Sequence, residues 1–278
     1  MQDALAYCAE LVRTADRDRF IASLFASAER RGPLQALYAF NSELARVRDV
    51  ARTALPGEIR LQWWADVINR ERDDEAKANP VAAALLATIE RHHLRREMLL
   101  DLIEARRFDL YDDPMIGLGD LETYMRRTSS SLISLATLIL AEAEFEVVAG
   151  PAGLALGLAQ ILRAFPIHAA RRQLYLPTEI LDRHQVALHD LFAGRSSAGL
   201  AAAFADLREL ARRHLASAAP GIKALPQEAV PAFLPVALVR PWLDRSERSD
   251  PFAPTELAPW RRQWLIWRAA RNPARIVR

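Results

Sequence analysis

Carboxylates, imidazoles and arginines stand at productive spacings in only a few places along this 278-residue chain. The stretch FDLYDD sets Asp109 and Asp113 four residues apart. On a continuous helix both carboxylates project from one face and offer oxygen ligands to a divalent cation. Asp73, Asp74 and Glu75 form an acidic run that reads as a solvated helix end. His92 and His93 are neighbours in sequence, so on a helix they diverge and cannot share a metal as a pair four apart does. The chain has no Gly-rich phosphate loop, CxxC pair, HExxH or nucleophile elbow. Its lone cysteine, Cys8, excludes a disulfide scaffold and fits a reducing compartment.

The charges are uneven. Net charge is +2, which gives no reason to expect nucleic acid as a partner. Residues 260–278 hold six Arg and no acid, against 31 basic and 35 acidic residues before them, a net −4. Within PWRRQWLIWRAARNPARIVR, Trp260, Trp264 and Trp267 recur at helical spacing among Arg261, Arg262, Arg268 and Arg271. Such a stripe either packs on the protein body and closes its interior, or anchors at an anionic membrane surface.

The elements that must position these groups are helices. Pro33, Pro56 and Asn79-Pro80 each read as a helix start, because proline in the first turn loses no needed hydrogen bond and Asn is a good N-cap. Apolar residues at threes and fours extend the pattern over 95–112, 120–144, 151–171, 197–218, 229–243 and 257–271. Two-residue alternation is nearly absent and no Asn-Gly or Asp-Gly hairpin signal occurs. The expected fold is all-α. Turn-rich stretches lie at 117–120, 219–226 and 244–254, with no internal repeat and no long linker. One helical domain over 1–250, followed by a basic Trp-rich segment 251–278, is the simplest organisation. No apolar run is expected to reach the 18 residues of a membrane span. Asp3, Glu10 and Asp16 argue against a secretory or transit segment. The chain therefore reads as soluble and cytoplasmic, at most peripheral on the inner membrane.

Several blocks, in order, resemble the squalene/phytoene synthase family: DRDRFIASLFASAERRGPLQALYAF (16–40), LQWWADVI (61–68), Asn79-Pro80, FDL (108–110) and ILR…RRQLYLP (161–177). The resemblance implies a helical bundle of the isoprenoid synthase type around a central apolar cavity. In that family two facing aspartate motifs hold Mg²⁺, which clamps and neutralises a departing diphosphate. This chain departs from both motifs. Ala45, Arg46, Val47, Arg48 and Asp49 stand where the first belongs, with Asp49 alone retained; Ala164, Ile167 and His168 stand in the second, with Pro166 among them. Asp109, Arg163, Arg171 and Tyr175 match the family pattern.

Ala45, Arg46, Asp49, Ala164 and His168 are therefore vestigial motif positions, with no catalytic residue and no metal or other cofactor expected. Asp49 and His168 are expected to approach across the cavity. Arg46, Arg48, Arg163, Arg171 and Tyr175 become candidates to hold an anion directly through guanidinium forks; alternatively the arginines pair with Asp49, Asp109 and Glu43. The stretches AFNSELARVRD, SSLISLATLIL and LRAFPIHAARRQLYLP resemble a branch of the family that lacks intact aspartate motifs and serves assembly of respiratory complex I. That likeness covers about 16–186 and fades beyond 190. It implies a non-catalytic protein whose partners are complex I subunits or other assembly factors. Two alternatives remain. One is a prenyl-diphosphate condensing transferase binding Mg²⁺ through Asp49, Asp109 and Asp113; the other is an isoprenoid- or lipid-binding module.

Overall fold

The computed structural model describes residues 1–51 and 53–278, and among them every regular element is helical. In chain order the α-helices are α1 (Gln2–Ala15), α2 (Arg17–Ser23), α3 (Ala28–Ala45), α4 (Val47–Val50), α5 (Ala54–Ile68), α6 (Asp73–Ala78), α7 (Pro80–His92) and α8 (Arg96–Arg107). They continue with α9 (Leu118–Met125), α10 (Ser131–Ala141), α11 (Glu146–Ala170), α12 (Thr178–Arg183), α13 (Leu188–Phe192), α14 (Ala198–Lys223), α15 (Val230–Phe233), α16 (Val239–Glu247) and α17 (Pro259–Arg271).

Local chemistry explains several boundaries. Asn79 caps α7, its Oδ1 accepting from the backbone N–H groups of Val81 and Ala82 at 3.0 and 3.1 Å. Asp16 caps α2 by accepting from the Arg19 backbone at 3.1 Å. Pro33 does not start a helix as expected. It lies inside α3, which begins at Ala28, because the buried run Leu34, Leu37, Tyr38 and Phe40 repays the one bond that proline removes. The turn expected at 219–226 is likewise helical as far as Lys223, with Pro220 inside α14. The segment expected as one helix over 120–144 is interrupted by a π-helical stretch, Arg126–Ser130.

One continuous apolar core joins all layers. The two longest helices, α11 and α14, pack along each other, and Phe165 meets Phe204 edge-on at 5.0 Å between them. Opposite, Phe40 of α3 meets Trp64 of α5 edge-on at 5.0 Å. Gly153 of α11 lets the π-helical stretch come close: a Cβ there would lie 2.4 Å from the Ser130 Cα, a clash no ordinary side chain relieves. Ser130 Oγ donates to the Gly150 carbonyl at 2.8 Å across the same contact. Cys8 lies in this core, its thiol pushed up to about 12 by burial.

The expectation of no membrane-length apolar helix needs correcting, since α11 is long and apolar enough by composition, with a mean hydropathy of 1.5. Its placement accounts for that: 61% of the apolar window is buried inside the bundle, as suits a central core helix. Segment 251–278 is not a loose appendage. Its helix α17 lies against α2 and the 3₁₀ stretch Leu234–Leu238, burying Leu265, Ile266, Ala269 and Ala270.

Candidate functional site

Three structural groups converge on one cavity of about 730 Å³. The end of α3 supplies Asn41, Ser42, Ala45 and Arg46, and α4 adds Asp49; α11 faces them with Gln160, Arg163, Ala164 and His168. Between the two stand Arg106, Tyr124, the π-helical Thr128 and Ser129, and Tyr175. Asp49 and His168 thus meet across the cavity as expected from the facing motifs. The walls are less apolar than expected, fifteen of the twenty-one lining residues being polar or charged. Four are arginines (Arg19, Arg46, Arg106 and Arg163) and two are aspartates (Asp16 and Asp49).

Behind the cavity wall Asp109 is almost completely buried. Its Oδ1 accepts from the Tyr124 hydroxyl at 2.8 Å and the Tyr175 hydroxyl at 2.7 Å, and its Oδ2 from Arg106 at 3.1 Å. Arg106 also donates to the Tyr124 oxygen at 2.9 Å. Burial pushes both phenols far above their ordinary range, and the neighbouring carboxylate adds to the effect, so each stays a donor. Burial works against the Arg106 charge, yet Tyr124 and Asp109 outweigh it and raise its pKa. The carboxylate and both phenols are therefore partnered and the Arg106 charge balances that of Asp109, although the Arg106 Nε is buried without a partner.

Positions 45, 49, 164 and 168 look different. Asp49 is bound by Arg171 at 2.5 Å, both side chains being roughly half-exposed. Ala45 and Ala164 offer no donor atoms at all. Burial pushes the His168 imidazole down to about 4; Asp109 opposes the shift and Arg171 reinforces it. The neutral ring packs against Tyr175 with centroids 4.5 Å apart, and its Nδ1 is buried without a partner.

The five anion candidates divide between two places. Arg46, Arg163 and Tyr175 line the main cavity. Arg48 and Arg171 border a neighbouring cleft instead, with Asp49, Leu110 and Asp112. Arg48 donates to the Asp109 carbonyl at 2.8 Å and to Asp112 at 2.6 Å, so it braces the loop rather than facing the cavity. The pairing alternative holds in part: Arg171 takes Asp49, but Asp109 is held by Arg106, and Glu43 by Arg60. Arg163 bonds Glu256 at 2.7 Å and lies over the Trp242 ring. Among the described residues no carboxylate pairs with Arg46.

The residues do not fit Mg²⁺. Asp109 and Asp113 do not share a helix face, because α8 stops at Arg107 and a 3₁₀ turn, Phe108–Leu110, leads into extended chain before Pro114. Asp113 ends exposed while Asp109 is consumed by two phenols and a guanidinium. The set Asp49, Asp109 and Asp113 is thus never assembled, and no cluster of three metal-ligating groups exists among the described residues.

Sequence reasoning missed Arg19, Asn41, Arg106, Tyr124 and Gln160 as cavity residues. Arg106 had a legible signal, lying three residues before Asp109. Asn41 had none beyond its place in AFNSEL, yet it is buried with its Oδ1 unpartnered.

The sequence pattern described as squalene/phytoene synthase matches residues 12–268. This chain belongs to the squalene/phytoene synthase family. A rat protein, "NADH dehydrogenase (ubiquinone) complex I, assembly factor 6", is 32% identical over 250 residues, 89% of this chain and 75% of the relative. The 15-cis-phytoene synthase of Synechococcus elongatus is 24% identical over 269 residues, 90% of this chain and 86% of that one. Among solved structures, a dehydrosqualene synthase in complex with ligand superposes with a TM-score of 0.84 at 18% identity, covering 96% of this chain and 95% of the other. That likeness establishes the isoprenoid synthase fold.

Proposed function

We propose that this protein serves assembly of respiratory complex I, without metal-dependent condensation chemistry, and that its cavity receives an anionic, phosphate-bearing group directly on arginine. Its partners are then complex I subunits or other assembly factors. One observation carries the reading: at the two facing motif positions the fold presents Ala45, Arg46, an arginine-bound Asp49, Ala164 and a neutral His168. Arginine in place of a carboxylate inverts the field a dication needs. The same cation suits a phosphate, which a guanidinium fork binds by two hydrogen bonds. The relatives named as assembly factor 6 support the assembly part of the reading.

The test is deletion of the gene in its host, followed by native-gel staining for NADH:quinone oxidoreductase. The expected result is loss of the assembled, active band, restored by the wild-type chain. An intact band in the deletion strain contradicts the assembly reading. Turnover of farnesyl or geranylgeranyl diphosphate that depends on Mg²⁺ and stops on chelation contradicts the non-catalytic reading and favours the transferase.

A further inference from the structure

We infer that the outward face of α17 is a docking surface for an anionic lipid bilayer. On a helix that turns about 100° per residue, the buried residues Leu265, Ile266, Ala269 and Ala270, with the ion-paired Arg262, share one side. Trp260, Trp264, Trp267 and Arg271 fall within about 60° of one another on the opposite side. The structure leaves these indoles 71%, 48% and 46% exposed. Of the two readings of the Trp stripe, packing on the bundle is taken instead by Leu265, Ile266, Ala269 and Ala270.

Three large aromatic residues held outward on a firmly seated helix are unusual for a surface that meets only water. Their neighbours indicate the occupant. Arg268 lies 4.5 Å over the Trp264 ring and Arg271 4.7 Å over Trp267, so each indole carries a cation on its face. Residues 260–278 bring six Arg and no acid, in a chain whose remainder is net negative. The acids that reach this helix from other parts of the chain are Asp18, which pairs with the inward-facing Arg262, and Glu256, which is shared between Arg262 and Arg163. Indoles flanked by guanidiniums suit the boundary between lipid headgroups and acyl chains, where the ring is half apolar and the cation meets phosphate. A bilayer surface fits better than an acidic protein groove, since the aromatic face is convex and flanked by cations along its length. The inference stands on this face alone and does not depend on the assembly role.

The test uses the full-length protein and sedimentation with vesicles of phosphatidylglycerol and phosphatidylcholine in roughly equal parts, against vesicles of phosphatidylcholine alone. Binding is expected only to the anionic vesicles, weakening as salt rises. Tryptophan emission should shift to the blue on binding and a variant lacking Trp264 and Trp267 should lose that shift, since Trp64 and Trp242 are already buried and the half-buried Trp63 lies on α5. The double variant Trp264→Ala/Trp267→Ala should lose binding while keeping the wild-type melting temperature. Should it melt lower, Arg268→Gln/Arg271→Gln decides instead, with partition expected to fall roughly thirtyfold for two lost cations. Equal binding to neutral vesicles, or unchanged binding by the deciding variant, overturns the inference. A wild-type dimer in light scattering that the variants dissolve also overturns it, by showing that a second copy covers this face.

Discussion

The wall built from Arg106, Asp109, Tyr124 and Tyr175 and the facing positions 45, 46, 49, 164 and 168 border the same cavity, yet they are organised on opposite principles. The first is a largely buried network in which the Asp109 carboxylate is held by two phenols and the Arg106 guanidinium. The second is open and half-exposed, with one carboxylate tied to an arginine and one imidazole held neutral. A network buried behind the wall is part of the fold's stability, because removing any member strands the rest out of water. Positions on the open face carry little of that burden, so their chemistry can change while the bundle stays intact. The difference explains how the bundle tolerates Ala45, Arg46, Ala164 and His168 on its open face.

The largest effect that would break this contrast lies in the buried network. Asp109→Ala strands two phenols and the Arg106 charge, and the expected loss is about 3–5 kcal/mol in denaturant unfolding. A loss under about 1 kcal/mol would put the network on the same footing as the open face. Tyr175→Phe removes one hydrogen bond to a buried carboxylate and should cost about 2 kcal/mol by the same measurement.

His168 sharpens the comparison through pH. Its folded pKa of about 4 lies below the ordinary value of 6.5, so the unfolded chain binds the extra proton first as pH falls. The stabilisation is complete above about 6.5 and is lost progressively towards 4. Unfolding followed from pH 7 to pH 5 should show a decline of about 1–2 kcal/mol that His168→Gln flattens. At the small end, Arg171→Ala breaks a half-exposed ion pair with Asp49 and should alter stability by no more than about 0.5 kcal/mol.

The helical class and the order of the family blocks were legible because periodicity and capping are local, as the Asn79 cap illustrates. Pro33 and Pro220 misled for the same reason: their local cost is outweighed by burial against distant helices that no local pattern reveals. The meeting of Asp49 with His168 followed from the resemblance, and the structure agrees. What did not follow was which arginines face inward. Arg46 and Arg48 sit two residues apart around the junction of α3 and α4, and that bend sends one to the cavity and the other to the Asp109 carbonyl. The pairing of Asp109 with Asp113 failed because a 3₁₀ turn, invisible to a four-residue spacing rule, ends the helix between them.

The central claim is that this cavity has exchanged a dication site for a direct anion site, and calorimetric titration of inorganic diphosphate into the purified protein tests it. With EDTA present the account predicts measurable binding that added Mg²⁺ does not strengthen and that Arg46→Asp weakens about tenfold or more. Binding that appears only when Mg²⁺ is supplied, and that Arg46→Asp strengthens, would contradict it.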